Sequence, residues 1–281
     1  MQPGASAGGP PKVATGVPAL DLTGNVVLVT GGLRGIGRGI TEMFLGAGAD
    51  VMVCGRTEPA RDDDLPLAGN RRAEFVRADV REAEQAASAV SASVERFGRL
   101  DVLVNNAGGS PATPAADASP RFVAQVVALN LLAPFYCAQA ANAHMQQATE
   151  GGSIINIASV SGLRSSPGTV AYGAAKAGLV NMTRTLAVEW APKVRVNCVV
   201  AGLIATEAAD AHYGGPSGIT AVASTVPLGR MGTPSDVAGV CVFLASSLAS
   251  YVSGAAVEVH GGGERPAYLT AVEQALGSQP A

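Results

Sequence analysis

A doubly wound α/β fold, one seven-stranded parallel sheet with helices on both faces, is what the sequence predicts, and three observations carry it. Short β-branched runs alternate with longer alanine-rich segments, the runs are apolar almost without a break, and no linker interrupts the pattern between about residues 22 and 263. Continuous apolar character marks strands covered on both faces, the condition inside a parallel sheet. Strand–helix alternation with right-handed crossovers then gives a doubly wound arrangement. With 281 residues, 48% hydrophobic and 15% charged, the chain can bury a sizeable core and is not disordered.

In chain order the expected strands are residues 26–29, 50–54, 72–77, 101–105, 153–158, 195–200 and 256–259, with a helix from the first run to about Leu45. Residues 1–21 read as a mobile tail: they are rich in Gly, Pro and Ala and hold no apolar stretch of signal-peptide length. Residues 22–263 form one domain, and residues 264–281 a C-terminal extension. Two connections, 109–120 and 201–227, are long for a compact domain, and long loops are commonly lids or binding segments. Both follow strands, and open α/β sheets bind ligands beyond the carboxyl ends of strands, so these loops are the expected substrate walls. Ser110, Pro111, Leu163, Arg164, His212 and Tyr213 are the pocket-side candidates.

The formal net charge of −3, without a basic run, gives no electrostatic basis for a nucleic-acid or anionic-membrane partner. A small-molecule substrate is expected instead. Cys54, Cys137, Cys198 and Cys241 are scattered and read as buried, reduced thiols of a cytoplasmic protein; with three isolated histidines, no metal site is visible. No apolar segment reaches the ~20 residues of a bilayer span without polar or glycine interruption.

Thr30-Gly31-Gly32-Leu33-Arg34-Gly35-Ile36-Gly37 follows the first strand and opens the first helix. Glycines there permit a tight turn, and the helix amides face a pyrophosphate, which makes this a dinucleotide loop. Its spacing, Gly31-x-x-x-Gly35-x-Gly37, departs from the commoner G-x-G-x-x-G. NAD enzymes usually place an acid at the end of the second strand for the ribose hydroxyls. Here that strand ends Cys54-Gly55-Arg56-Thr57, and Glu58 lies beyond it. Arg34 and Arg56 flanking the ribose suit a 2′-phosphate, which predicts NADP(H) over NAD(H).

Tyr172 and Lys176 stand four residues apart on one helix face. An ammonium near a phenol favours the phenolate and lowers its pKa from ~10, towards the range in which general acid–base exchange works.

These motifs, together with Asp79-Val80, Asn105-Asn106-Ala107-Gly108, Asn130, Ser159 and the Gly202–Thr206 segment, come in an order that resembles the short-chain dehydrogenase/reductase family, in its single-domain branch, over residues ~22 to ~263. The resemblance implies a Rossmann-like fold and a site in which Tyr172 is the acid in reduction and the base in oxidation. By it, Lys176 lowers the Tyr172 pKa and binds the nicotinamide ribose, and Asn130 anchors a water-mediated relay to the lysine. Ser159, just past the fifth strand, takes the oxyanion role; a turn cap is its bland alternative. Asn130 lies in an apolar helix, where an amide needs a buried partner. Asp79 is similar to the residue that bonds the adenine amino group, although a strand-end aspartate suits a turn cap equally. Asn106, Ala107 and Gly108 are expected to form the backbone wall of the cofactor site, with Ile204 and Thr206 on the carboxamide. Three departures stand out: Leu33 where NADP-dependent relatives often carry a hydroxyl, Ala201 where proline is usual, and His260 where an aspartate commonly precedes the last two glycines.

The pattern is similar to 3-oxoacyl-thioester reductases, which implies an NADPH-dependent ketoreductase; an NADP-linked alcohol or steroid dehydrogenase is the alternative. A non-catalytic dinucleotide sensor or scaffold would have no need of all four of Asn130, Ser159, Tyr172 and Lys176. Arg164 is a candidate for the phosphate of a thioester carrier or is simply solvated. Relatives of this branch pair through two long helices, here about 119–147 and 170–191, so a homotetramer is expected. Ala138, Ala140, Ala141 and Ala143 would permit close helix approach or would pack on the sheet.

Overall fold

β1 (Val26–Thr30) lies at the centre of the sheet, with β2 (Asp50–Gly55) on one side and β6 (Val102–Asn105) on the other. In the computed structural model, which describes residues 20–207, 209 and 213–277, the chain winds outward from β1 through β2 to β5 (Glu74–Arg77), then returns to β6. It continues outward through β7 (Gly152–Ser159) and β8 (Val194–Ala201) to β9 (Ala256–Val259). The order β5-β2-β1-β6-β7-β8-β9 is parallel throughout and holds seven strands, as the apolar runs predict. The reversal between β1 and β6 is a topological switch point, where a crevice opens beyond the strand ends.

Burial follows the sequence pattern. Every residue of β1 is buried, whereas β9, at the sheet edge, has none fully covered. Phe44, Ile40, Val237 and Leu244 pack one face through α1 (Gly35–Gly46) and the helix Pro234–Ala245. Leu28, Leu103, Ile154 and Met145 pack the other, under α2 (Ala83–Phe97) and α4 (Ala133–Met145). The Cys54, Cys137, Cys198 and Cys241 thiols are free and buried.

Three segments depart from the sequence reading. The run 72–77 does not form one strand: Arg71–Arg72 (β4) pairs antiparallel with Leu67–Ala68 (β3) in a separate hairpin, and only Glu74–Arg77 joins the main sheet. The helix expected over 119–147 is two α-helices, α3 (Pro120–Val127) and α4, joined by a π-helical turn at Ala128–Leu132. The continuous stretch Pro120–Met145 is long and apolar enough to cross a bilayer by composition alone. Its buried residues, among them Cys137, Ala138, Ala141 and Met145, are instead in contact with the core beneath α4. The C-terminal extension carries a helix, Ala267–Leu276, and its start is tied back by Arg265, whose amide donates to Thr225 O at 2.8 Å and whose guanidinium pairs with Glu273.

α5 (Val170–Glu189) is docked by a polar chain through the sheet. Asn105 Nδ2 donates to Asn156 Oδ1 at 2.9 Å, and Asn156 Nδ2 donates to Thr183 Oγ1 at 2.9 Å. These buried amides fix the height of α5 against β6 and β7, since shifting it would strand polar groups away from water.

Candidate active site

The glycine loop after β1 is drawn tight against the β6 loop. At Gly37 an added Cβ would lie 2.3 Å from Gly31 O and 2.4 Å from Asn106 Nδ2, so only glycine fits. Thr30 Oγ1 accepts the amides of Asn106 and Ala107, each at 3.0 Å, and Asn106 Nδ2 donates to Thr30 O at 2.9 Å. Gly31, Leu33, Arg34, Gly35, Ile36, Gly37, Asn106, Ala107 and Gly108 thereby line one wall of a cleft of about 840 Å³, within the range of small-molecule sites. The first turn of α1 has no acid and no side-chain cap from Arg34, leaving amides directed at the cleft.

Arg56 and Thr57 line one end of the cleft with Asp79, Val80 and Arg81. Among the described residues, neither Arg34 nor Arg56 forms an ion pair. Asp79 is engaged by its own turn: Oδ1 accepts Arg81 Nε at 2.9 Å and the Arg81 amide at 3.1 Å. The Arg81 guanidinium bonded to it holds the Asp79 carboxyl below its ordinary range. The turn-cap reading of Asp79 is therefore realised while the residue still lines the cleft.

At the opposite end four side chains converge. Tyr172 and Lys176 share one face of α5, with Lys176 Nζ 5.6 Å from the Tyr172 ring centroid. Lys176 is 3% exposed, and Nζ donates to Ile157 O at 2.8 Å. Burial pulls the ammonium down from 10.5 to about 8. The expected lowering of the Tyr172 pKa is not found: burial raises the phenol, and only a hydrogen bond with Ser159 acts the other way. The reason is desolvation, which penalises the phenolate while the ammonium is turned to the Ile157 carbonyl.

Asn130 sits in the π-helical turn, fully buried. Its Nδ2 donates to Gly109 O and Val126 O, both at 2.9 Å, and its Oδ1 accepts the Gly109 amide at 2.9 Å. The partner demanded by an amide in an apolar helix is thus the loop after β6. Gly108 is the hinge of this packing, because a Cβ there would lie 2.8 Å from Asn130 Oδ1 and 3.1 Å from Lys176 Nζ. Ser159 ends β7, and its Oγ accepts the Ser161 amide at 3.2 Å. It therefore both caps the 3-10 turn Val160–Gly162 and bonds the phenol.

Gly202 and Thr206 line the cleft, as does Pro111 from the first long loop. Ile204 does not: its side chain joins the core against Gly232, across an isolated β-bridge. Leu163 and Arg164 line a second cavity of about 220 Å³ with Leu203, His260 and Glu264. Arg164 is not simply solvated, for it pairs with Glu264. His260 pairs with Glu258. Ser110 bonds its neighbour Pro111 O at 2.9 Å, Tyr213 is half-buried, and His212 lies outside the described residues. Sequence reasoning missed Arg81 and Glu207, both in the cleft wall. Each lies within two residues of a recognised position, Asp79 or Thr206, and that proximity was the available signal.

A family model described as enoyl-(acyl carrier protein) reductase matches residues 31–264. The chain is 37% identical to a 3-oxoacyl-[acyl-carrier-protein] reductase of Chlamydia pneumoniae, covering 86% of this chain and 98% of that protein. It is 34% identical to a 2-dehydro-3-deoxy-D-gluconate 5-dehydrogenase of Escherichia coli, covering 87% and 97%. Among solved structures, a short-chain dehydrogenase/reductase (glucose/ribitol dehydrogenase) of Brucella melitensis superposes with a TM-score of 0.80 at 33% identity, covering 86% and 97%. Fold, motif order and these likenesses together make the chain a member of the short-chain dehydrogenase/reductase family, an oxidoreductase that acts on CH–OH or C=O groups of small molecules with a nicotinamide dinucleotide.

Proposed function

We propose that the protein reduces a ketone to a secondary alcohol with NADPH, with a 3-oxoacyl thioester as the favoured substrate. The observation that carries this reading is the convergence of Ser159, Tyr172 and Lys176 at one end of a cleft that Arg34 and Arg56 also line, neither of them in an ion pair among the described residues. The residues fit the dinucleotide: a glycine cradle that a Cβ would fill, amides of α1 facing the diphosphate, and Arg34 and Arg56 for a 2′-phosphate. When bound, the nicotinamide supplies the hydride to the carbonyl carbon.

The chain's own part is the proton and the charge. The Ser159 hydroxyl donates to the carbonyl oxygen as negative charge grows there. Tyr172, held protonated by burial, is the acid that delivers its proton to that oxygen. Lys176 holds the nicotinamide ribose, the Ser159 hydrogen bond favours the phenolate left behind, and Asn130 keeps the π-helical turn and the Gly108–Gly109 wall in place for both. The relative from Chlamydia pneumoniae is named a 3-oxoacyl-[acyl-carrier-protein] reductase, which supports an acyl substrate here. A homotetramer in a reducing compartment completes the proposal.

The test is NADPH consumption with a short 3-oxoacyl thioester, alongside NADH and a Tyr172→Phe variant. Turnover that needs NADPH and falls about a thousandfold in the variant, with NADPH binding retained, is the expected outcome. NADPH binding without turnover would move the substrate to sugar or cyclic ketones. Equal apparent affinity for NADH and NADPH would remove the cofactor preference, and a monomer in light scattering the tetramer.

A further inference from the structure

Glu207 faces the phosphate loop from the far side of the cleft. Its Oε2 accepts the Gly35 amide at 3.1 Å, although the two residues are 172 positions apart. That amide opens α1, a helix of 12 residues with no acid in its first turn and no cap from its own flanking residue. Helix N-termini favour negative charge, and an unbonded first-turn amide takes whichever anion reaches it. Among the described residues, Glu207 forms no ion pair, so its carboxylate is not drawn there by a cation. The neighbouring Thr206 closes on the same glycine, its Cγ2 3.5 Å from where a Gly35 Cβ would lie.

We infer that Glu207 is an internal anion occupying the diphosphate position of the cleft, one that the cofactor must displace, so that Glu207 sets dinucleotide affinity and ties cofactor entry to release of the loop after β8. This rests on the proposed dinucleotide reading of the cleft. A diphosphate oxygen and the Glu207 carboxylate need the same donor, and two anions cannot share it without repulsion. The carboxylate therefore leaves when the diphosphate arrives. Because Glu207 follows directly on Gly202–Thr206, whose first residue lines both the cleft and the cavity of Leu163 and Arg164, its departure unpins the segment between cofactor and substrate. Cofactor binding first, with substrate second, is the resulting order.

The experiment measures binding, not turnover. NADPH and inorganic pyrophosphate are titrated calorimetrically against the wild-type protein, Glu207→Gln, which keeps size and loses charge, and Glu207→Asp, which keeps charge and loses reach. The expected result is a Kd for both probes about tenfold lower in Glu207→Gln, with Glu207→Asp in between. In Glu207→Ala, amide exchange at Gly35, read on the free protein by mass spectrometry, is expected to be faster than in wild type. Equal or weaker binding by Glu207→Gln, or unchanged exchange at Gly35, overturns the inference while the dinucleotide reading stands. Binding of neither probe to any of the proteins overturns both.

Discussion

The two ends of the cleft handle charge in opposite ways. At the proposed catalytic end Lys176 is 3% exposed, forms no ion pair among the described residues and is held by a carbonyl; Asn130, in the same end, is fully buried and triply bonded. At the end proposed for the adenosine, Arg34, Arg56 and Thr57 are exposed, and the Asp79–Arg81 pair is partly open to water. Burial makes the first end stiff and shifts its pKa values, while exposure leaves the second screened by salt and easily altered. On the proposed reading, chemistry falls to buried groups that tolerate little change, and cofactor preference to surface groups that tolerate much.

The contrast is tested most severely at Asn130. Asn130→Leu leaves Gly109 N–H, Gly109 O and Val126 O without their buried partner, and is expected to cost about 3–4 kcal/mol in urea unfolding. A loss under 1 kcal/mol would mean that the catalytic end is not stiff. Next is Lys176→Met, read as stability against pH. A lysine lowered from 10.5 to about 8 binds fewer protons folded than unfolded between those values, so wild-type stability rises with pH across that window. Below pH 8 the full cost of the buried charge, about 3 kcal/mol, stands. The raised Tyr172 phenol acts in the opposite sense, but only above its ordinary value near 10.0. Wild type should therefore gain on the methionine variant from pH 8 to pH 10, and parallel curves would show a solvated lysine. The smallest effects belong to the exposed end. Arg34→Ala and Arg56→Ala are each expected to weaken NADPH about tenfold, roughly 1.4 kcal/mol, and to leave NADH and unfolding unchanged. An equal loss for both cofactors would assign the arginines to the shared diphosphate rather than to the 2′-phosphate.

The sheet was legible because its interior strands are mostly apolar with few polar interruptions, and the phosphate loop because glycine is the only residue that fits at Gly37. Local pattern does not reach further. The β3–β4 hairpin has two residues per strand, too few for any periodicity. The π-helical turn lies in Ala128-Leu129-Asn130-Leu131-Leu132, where uniform apolarity hides a change of helical pitch. Ile204 matched a motif position, yet the side chain turned to the core because Gly232 left room for it. The Tyr172–Lys176 spacing put both side chains on one face of α5, as found, but gave the wrong sign for the phenol, since sequence distance carries no information about desolvation. The Glu207 contact spans 172 residues and exists only through the tertiary fold.

The π-helical turn between α3 and α4 is also a local bulge in the chain. A turn of this kind holds one residue more than an α-turn, and each residue advances an α-helix by about 100°. Removing a single residue from 128–132 would let α3 and α4 run together as one regular helix. The stripe formed by Cys137, Ala138, Ala141 and Met145 would keep its place on the sheet without rotation of α3, because the wide turn covers with five residues about the arc that four cover in an α-helix; what would be lost is the bulge that carries Asn130. The added residue is thus held in a local bulge, and a single-codon deletion there would displace Leu129, which lines the cleft, and Asn130 while leaving both helices in place.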